Sequence, residues 1–181
     1  VLRVGVEENK PYEAGIRFDN RRSPSVGAER FELWGVHHSL SGWGDTLEAR
    51  YSINDGPDDY QVRYTRPVSD NDAAVTVAYE KSGSLVSEAP FNALDIESKF
   101  NRYYLAYRYP YINTLNQNLN FSIELEHRYA RTFLLGVPYS FAPGVVDGET
   151  KVTVLHFVQE WMNRTQSEIL SLRSDFKFGI D

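Results

Sequence analysis

Along much of this chain apolar and polar residues alternate one by one. In Leu119-Asn120-Phe121-Ser122-Ile123-Glu124-Leu125-Glu126 every odd position is apolar and every even position polar. Residues 102–111 repeat the pattern, with Tyr103, Leu105, Tyr107, Tyr109 and Tyr111 against Arg102 and Arg108. Near the end, Leu170, Leu172, Phe176, Phe178 and Ile180 alternate with Ser171, Arg173, Asp175, Lys177 and Gly179. Shorter runs around Leu47–Ile53 and Tyr60–Thr65 do the same. Successive side chains on a strand point to opposite faces, so each run carries one apolar and one polar face. A helix would scatter the same residues around its circumference, and helix is rejected almost everywhere.

The alternation predicts an all-β antiparallel meander of about nine strands, near residues 12–19, 29–40, 44–53, 58–66, 73–84, 98–110, 118–131, 150–163 and 167–180. Two of them are mixed. Residues 29–40 lack a clean alternation, and Val152–Met162 has Val154 and Val158 on one side but Leu155, Phe157 and Trp161 on the other, which leaves its orientation open. Turn chemistry separates the strands at Ser41-Gly42-Trp43-Gly44, Asn54-Asp55-Gly56-Pro57, 113–118 and 163–166. The first, fifth and seventh links are long and contain Pro24, Pro90, Pro138 and Pro143, whereas the even-numbered links are short; only the short third link breaks the alternation. Long loops at one end and tight turns at the other are the habit of an outer-membrane barrel.

Composition adds further bounds. The 181 residues suit one ordinary domain or one small barrel. The 19 Lys and Arg against 25 Asp and Glu give a net charge of −6, which argues against a nucleic-acid partner. The absence of cysteine removes disulfides, zinc-thiolate sites and cysteine nucleophiles. Aromatic residues at 14% are too many for a disordered chain. No apolar run approaches the roughly 20 residues of a spanning helix, and the opening residues lack a signal-peptide profile. Spanning strands escape that test because alternation hides their hydrophobicity.

A soluble barrel or sandwich turns its apolar face inward, and a large membrane barrel turns it outward to lipid. Expected strand lengths of about ten to fourteen residues, tyrosines at strand ends and a polar face of mixed sign favour the membrane arrangement. The competing reading is a soluble β-barrel or sandwich that binds a small apolar ligand in its interior.

The runs Val4-Gly5-Val6-Glu7-Glu8-Asn9-Lys10-Pro11-Tyr12, Gly15-Ile16-Arg17-Phe18-Asp19-Asn20 and Ser23-Pro24-Ser25-Val26-Gly27 resemble the junction of periplasmic domain and barrel in two-partner secretion transporters. These are the hemolysin secretion/activation proteins of the bacterial outer membrane. Leu40-Ser41-Gly42-Trp43-Gly44-Asp45-Thr46-Leu47 is similar to their first periplasmic turn, and Val154–Trp161, Leu170–Ser174 and Phe178–Asp181 resemble their mid-barrel strands. The resemblance implies a trailing periplasmic strand in residues 1–10 and roughly the first half of a transmembrane barrel in 11–181. It implies a secreted exoprotein passenger of hemolysin or adhesin type, contact with outer-membrane lipid or detergent, and no cofactor. The family's Arg-Gly loop motif has no counterpart, since no Arg-Gly pair occurs. A half barrel leaves two free edges, so self-association into a closed assembly, or a rearranged or aggregating state, is expected. A barrel-assembly insertase is the second reading within the membrane class.

On this reading the lumen wall carries Arg17, Glu48, Arg50, Arg63, Arg102, Arg108, Glu124, Glu126, Arg128, Arg173 and Asp175. The arginines would set ion preference or touch an unfolded passenger in transit. No catalytic or metal site is expected. His37 and His38 are adjacent on a strand and face opposite ways, and His127 and His156 lack partners at motif spacing. Glu124 and Glu126, about 7 Å apart on one face, have the spacing of a carboxylate pair but continue into Arg128 as a wall does. Asn163-Arg164-Thr165 matches a glycosylation sequon of a kind a bacterial protein does not normally use.

Overall fold

A computed structural model describes residues 10–54 and 56–180. The expected trailing strand in residues 1–10 lies outside the described residues except for Lys10. The remainder forms a single antiparallel sheet: β1 (Tyr12–Asp19), β2 (Arg30–His38), β3 (Thr46–Ile53), β4 (Asp59–Pro67), β5 (Ala74–Leu85), β6 (Glu97–Asn113), β7 (Gln117–Leu134), β8 (Val137–Pro138), β9 (Glu149–Arg164) and β10 (Ile169–Ile180). Each strand pairs with its chain neighbour, except that the two-residue β8 folds back on β7 and leaves β9 to pair with β7. Among the described residues β1 and β10 pair on one side only, so the sheet is open.

All nine expected strands are present. The ends differ most in β6 and β7, which run to 17 and 18 residues. β6 continues to Asn113 past a register shift between Pro110 and Ile112, and β7 continues to Leu134 because Phe133 and Leu134 pair with β8. Tyr103 and Tyr107 sit inside β6, not at a strand end as expected.

The register resolves both mixed segments. In β9, Leu155, Phe157 and Trp161 share a face with Leu125, Ile123 and Leu119, while Val152, Val154 and Val158 lie opposite Arg128, Glu126 and Ser122. In β2, Trp34 and Val36 take the polar face, opposite Arg50 and Glu48. Trp34 lies over Gly15, where a Cβ would come within 2.8 Å of its indole ring.

The two faces are unequally open. A flat single-layer sheet would expose both alike, but here the polar face is enclosed: Glu126 is 4% exposed and His156 8%, against 54% for Ile123 and 48% for Leu105. Even alanines follow the rule, with Ala78 and Ala106 buried on the polar side. The sheet is curved, with charges on the concave side and apolar groups on the convex side. Among the described residues the buried apolar set is Ala73, Ala78, Ala106 and Val158, far too little for a hydrophobic core.

Links 20–29, 54–58, 86–96 and 135–148 gather at one end, and links 39–45, 68–73, 114–116 and 165–168 at the other. The long loops are tied to one another. The Ser87 N–H donates to the Ser25 carbonyl at 2.9 Å, and the Leu135 N–H donates to the Leu94 carbonyl at 3.0 Å. Arg22 reaches from the first loop to the Gly83 carbonyl at 3.2 Å.

The 39–45 turn is built around Asp45, which is completely buried. Its carboxylate accepts from the Ser41 hydroxyl at 2.5 Å and the Ser41 N–H at 2.9 Å, while Gly42 and Gly44 supply left-handed backbone at φ 82° and 72°. The Ser41 hydroxyl is the main reason the Asp45 carboxyl is held down to about 2; burial opposes it, and the Ser41 N–H and Tyr64 hydroxyl assist. A folded value below the ordinary 3.8 stabilises the fold above that value, and the contribution disappears as pH falls through about 2. The Asp45→Asn variant is therefore expected to unfold at a lower temperature than wild type at neutral pH, with the gap closing between about pH 4 and about pH 2. Thermal unfolding of the two proteins across that range checks it.

Candidate functional site

The antiparallel ladders place Arg17, Glu48, Arg50, Arg63, Arg102, Arg108, Glu124, Glu126, Arg128, Arg173 and Asp175 on one face, the concave one. They do not form one cluster. The central group surrounds Glu126, whose carboxylate meets Arg102 Nε at 2.8 Å and Arg128 Nε at 2.5 Å. The Arg128 N–H donates along a proper hydrogen bond, whereas the Arg102 N–H is misaligned and makes a charge contact only. Arg102 Nη1 also donates to Glu80 at 3.3 Å.

His156 extends the network sideways. Its Nε2 lies 3.8 Å from Glu126 and its Nδ1 3.3 Å from Asp175, which in turn meets Lys177 at 3.4 Å. One chain of charges thus runs from Glu80 on β5 to Lys177 on β10. Tyr104 sits in its midst, with the guanidinium groups of Arg63 and Arg102 at 5.7 and 5.4 Å from its ring centre. Separate pairs lie to either side, Arg17 with Glu32 at 3.2 Å and Arg173 with Glu160 at 2.8 Å.

Sequence reading missed Glu80, Tyr104 and Glu32 as members of this face, put Lys177 on it without naming it among the wall residues, and left His156 without partners. The parity of Glu80 and Tyr104 within their strands already carried that signal, because each lies on the same side as Arg102. Which charge pairs with which depends on the register between strands, and that is fixed only on folding. His37 and His38 lie on opposite faces, opposite Leu47 and Thr46.

The convex face is layered. Starting at the short-turn end, Leu119, Trp161 and Leu172 share a rung, followed by Ile123, Phe157 and Phe176, then Leu105, Leu125 and Leu155. An aromatic row comes next: Tyr60, Tyr79, Tyr103 and His127 have successive ring centres 5.8, 5.0 and 6.3 Å apart. From Leu119 to Tyr129 the strand advances roughly 34 Å, or roughly 26 Å along the normal at a tilt of about 40°. An outer-membrane barrel carries an apolar band about 25 Å tall.

No family model and no curated protein sequence matches the chain. Among solved structures, CdiB from Escherichia coli superimposes with a TM-score of 0.79 over 97% of this chain, at 13% sequence identity. The chain spans 32% of the CdiB chain, about a third. The expected fold class, a meander belonging to a β-barrel, is met, and the resemblance to two-partner secretion transporters holds at the level of fold.

The Glu126 network is expected to matter more than exposed pairs on the same face. Glu126→Ala leaves Arg102, Arg128 and His156 facing one another in an enclosed site and is expected to cost about 1–3 kcal/mol. Arg173→Ala, which opens a pair exposed on both sides, is expected to cost less than about 1 kcal/mol. Urea unfolding in detergent micelles, followed by tryptophan fluorescence, measures both; equal losses would show that the network adds nothing.

Proposed function

We propose that this chain forms part of the wall of an outer-membrane β-barrel that secretes a large exoprotein of hemolysin or adhesin type. CdiB is a two-partner secretion transporter, and the shared fold supports that reading. The observation that carries it is the inverted arrangement of the sheet, with ion-paired residues enclosed on the concave side and apolar residues open on the convex side. In water that arrangement exposes a continuous apolar face, which a lipid environment covers.

The work of such a wall is physical. Arg17, Glu48, Arg50, Arg63, Arg102, Arg108, Glu124, Glu126, Arg128, Arg173 and Asp175 line a hydrated passage. Arg17, Arg102, Glu126, Arg128, Arg173 and Asp175 are ion-paired, and the others (Glu48, Arg50, Arg63, Arg108 and Glu124) mix both signs, so the wall offers an extended polypeptide many weak polar contacts and no deep attractive trap. Binding stays shallow and the passenger keeps moving. The free edges of β1 and β10 must be paired in lipid, because unsatisfied backbone groups there cost several kcal/mol each. Self-association of the chain through those edges, or pairing with further strands of a larger barrel, supplies the closure.

An insertase of the barrel-assembly type shares the wall but needs a lateral opening toward lipid, and no observation favours it. A soluble binder of small apolar ligands needs an apolar interior, whereas the enclosed face here is ionic.

Refolded in detergent and added to planar lipid bilayers, the protein is expected to give stepwise conductance and to migrate differently on gels before and after boiling. Arg63→Glu together with Arg108→Glu is expected to shift the reversal potential toward cation preference. A monodisperse, detergent-free protein without conductance would instead support the soluble ligand binder.

A further inference from the structure

The convex face does not end at its aromatic row. One rung nearer the long loops stand Lys81 on β5 and Lys151 on β9, and one rung further Lys99 on β6 faces Arg131 on β7. These four cations occupy adjacent strands on the outward side, away from the ionic network of the concave face. At about 4.8 Å between strands they span on the order of 14 Å.

Each is held over an aromatic ring. Lys81 lies 5.4 Å from the centre of Tyr60, Lys151 5.4 Å from Tyr129, and Lys99 and Arg131 are 4.8 and 5.8 Å from Phe133. Long basic side chains fixed in this way lose less freedom when they bind. The local carboxylates do not neutralise them. Glu97 meets Lys99 at 3.1 Å, and Glu149 is shared between Arg131 at 2.9 Å and Lys151 at 3.4 Å. Lys81 has no ion-pair partner among the described residues, so the patch is left with excess positive charge.

Directly below, toward the apolar band, lies an open groove of about 430 Å³. Val62, Val77, Leu105 and Leu125 line it, with Tyr79 and Tyr103 at its cationic end. An apolar slot that runs into aromatic rings and then into ordered cations matches, layer by layer, a lipid with acyl chains, a glycerol or sugar boundary and a phosphate. Cations set in a row across four strands suit an anionic phosphate headgroup, whose several oxygens can face whichever donors lie nearest.

We infer that Lys81, Lys99, Arg131 and Lys151 form a site for a phosphate-bearing lipid headgroup in the leaflet next to the long loops, with one acyl chain of that lipid in the groove beneath. This inference rests on the membrane reading above, and its test separates the two.

The probes are maltoside micelles doped with dioleoyl phosphatidic acid, with dioleoyl phosphatidylcholine, or with inorganic phosphate alone. Phosphatidic acid is expected to raise the temperature at which the folded gel band is lost and to remain bound in native mass spectrometry, while the other two additions do neither. Replacing all four cations by glutamine is expected to weaken phosphatidic acid binding at least about tenfold. Glu97→Gln with Glu149→Gln raises the local positive charge and is expected to strengthen it, which keeps the test decisive if the quadruple variant fails to fold. Equal responses to phosphatidylcholine, equal responses to free phosphate, or charge variants indistinguishable from wild type would each overturn the site. Tryptophan quenching by a brominated-chain detergent marks the convex face as lipid-facing; its absence would bring down the membrane reading and this site with it.

Discussion

A single sheet has no second layer in which to hide its apolar side chains, and every backbone group on it must be paired within the sheet or at its edges. These two conditions govern the rest of the structure. Where water is excluded, the ladder from β1 to β10 satisfies the backbone, and alternation gives each strand one side suited to hydrocarbon. The curvature then decides which side is enclosed. Because the enclosed side is the ionic one, the sheet cannot be stabilised by a dry interior, and it depends on what covers its convex face.

The concave face meets the opposite difficulty. Charges brought into a confined space are costly unless they are paired and hydrogen-bonded. Glu126 shows how the cost is met: two arginines and a histidine from three neighbouring strands converge on it, and Arg102 and His156 relay the contact outward to Glu80 and Asp175. Arg128 is on Glu126's own strand, but Arg102 and His156 come from the strands to either side, so their contacts also oppose register slips, which would turn these side chains to the other face.

Much of this was legible in the residue pattern. Strands with strict alternation, such as β7 from Leu119 to Glu126, could be assigned to a face without coordinates, and the eleven residues named from the pattern share the concave face for that reason. Legibility failed at strand ends that depend on pairing rather than on alternation. In β6 the ladder continues to Asn113 past a register shift between Pro110 and Ile112, and in β7 Phe133 and Leu134 extend the strand by pairing with the two residues of β8. It failed in β9 because small apolar residues also serve on the ionic side, as Val154 does opposite Glu126. Asp45 was invisible for another reason: an acidic residue in a glycine-rich turn reads as solvated, and only the backbone path reveals that it is enclosed and holds the turn together.

The tied loops at the long-loop end carry a consequence for how this rim can be recognised and how it can diverge. Ser25 and Ser87 join the first loop to the third, and Leu94 and Leu135 join the third to the fourth. An antibody or phage docking there would meet a composite epitope assembled from distant parts of the chain, and linear peptides copied from any one loop would reproduce it poorly. Escape from such a binder would be correspondingly constrained, since an insertion tolerated by one loop must also preserve its neighbours' main-chain path.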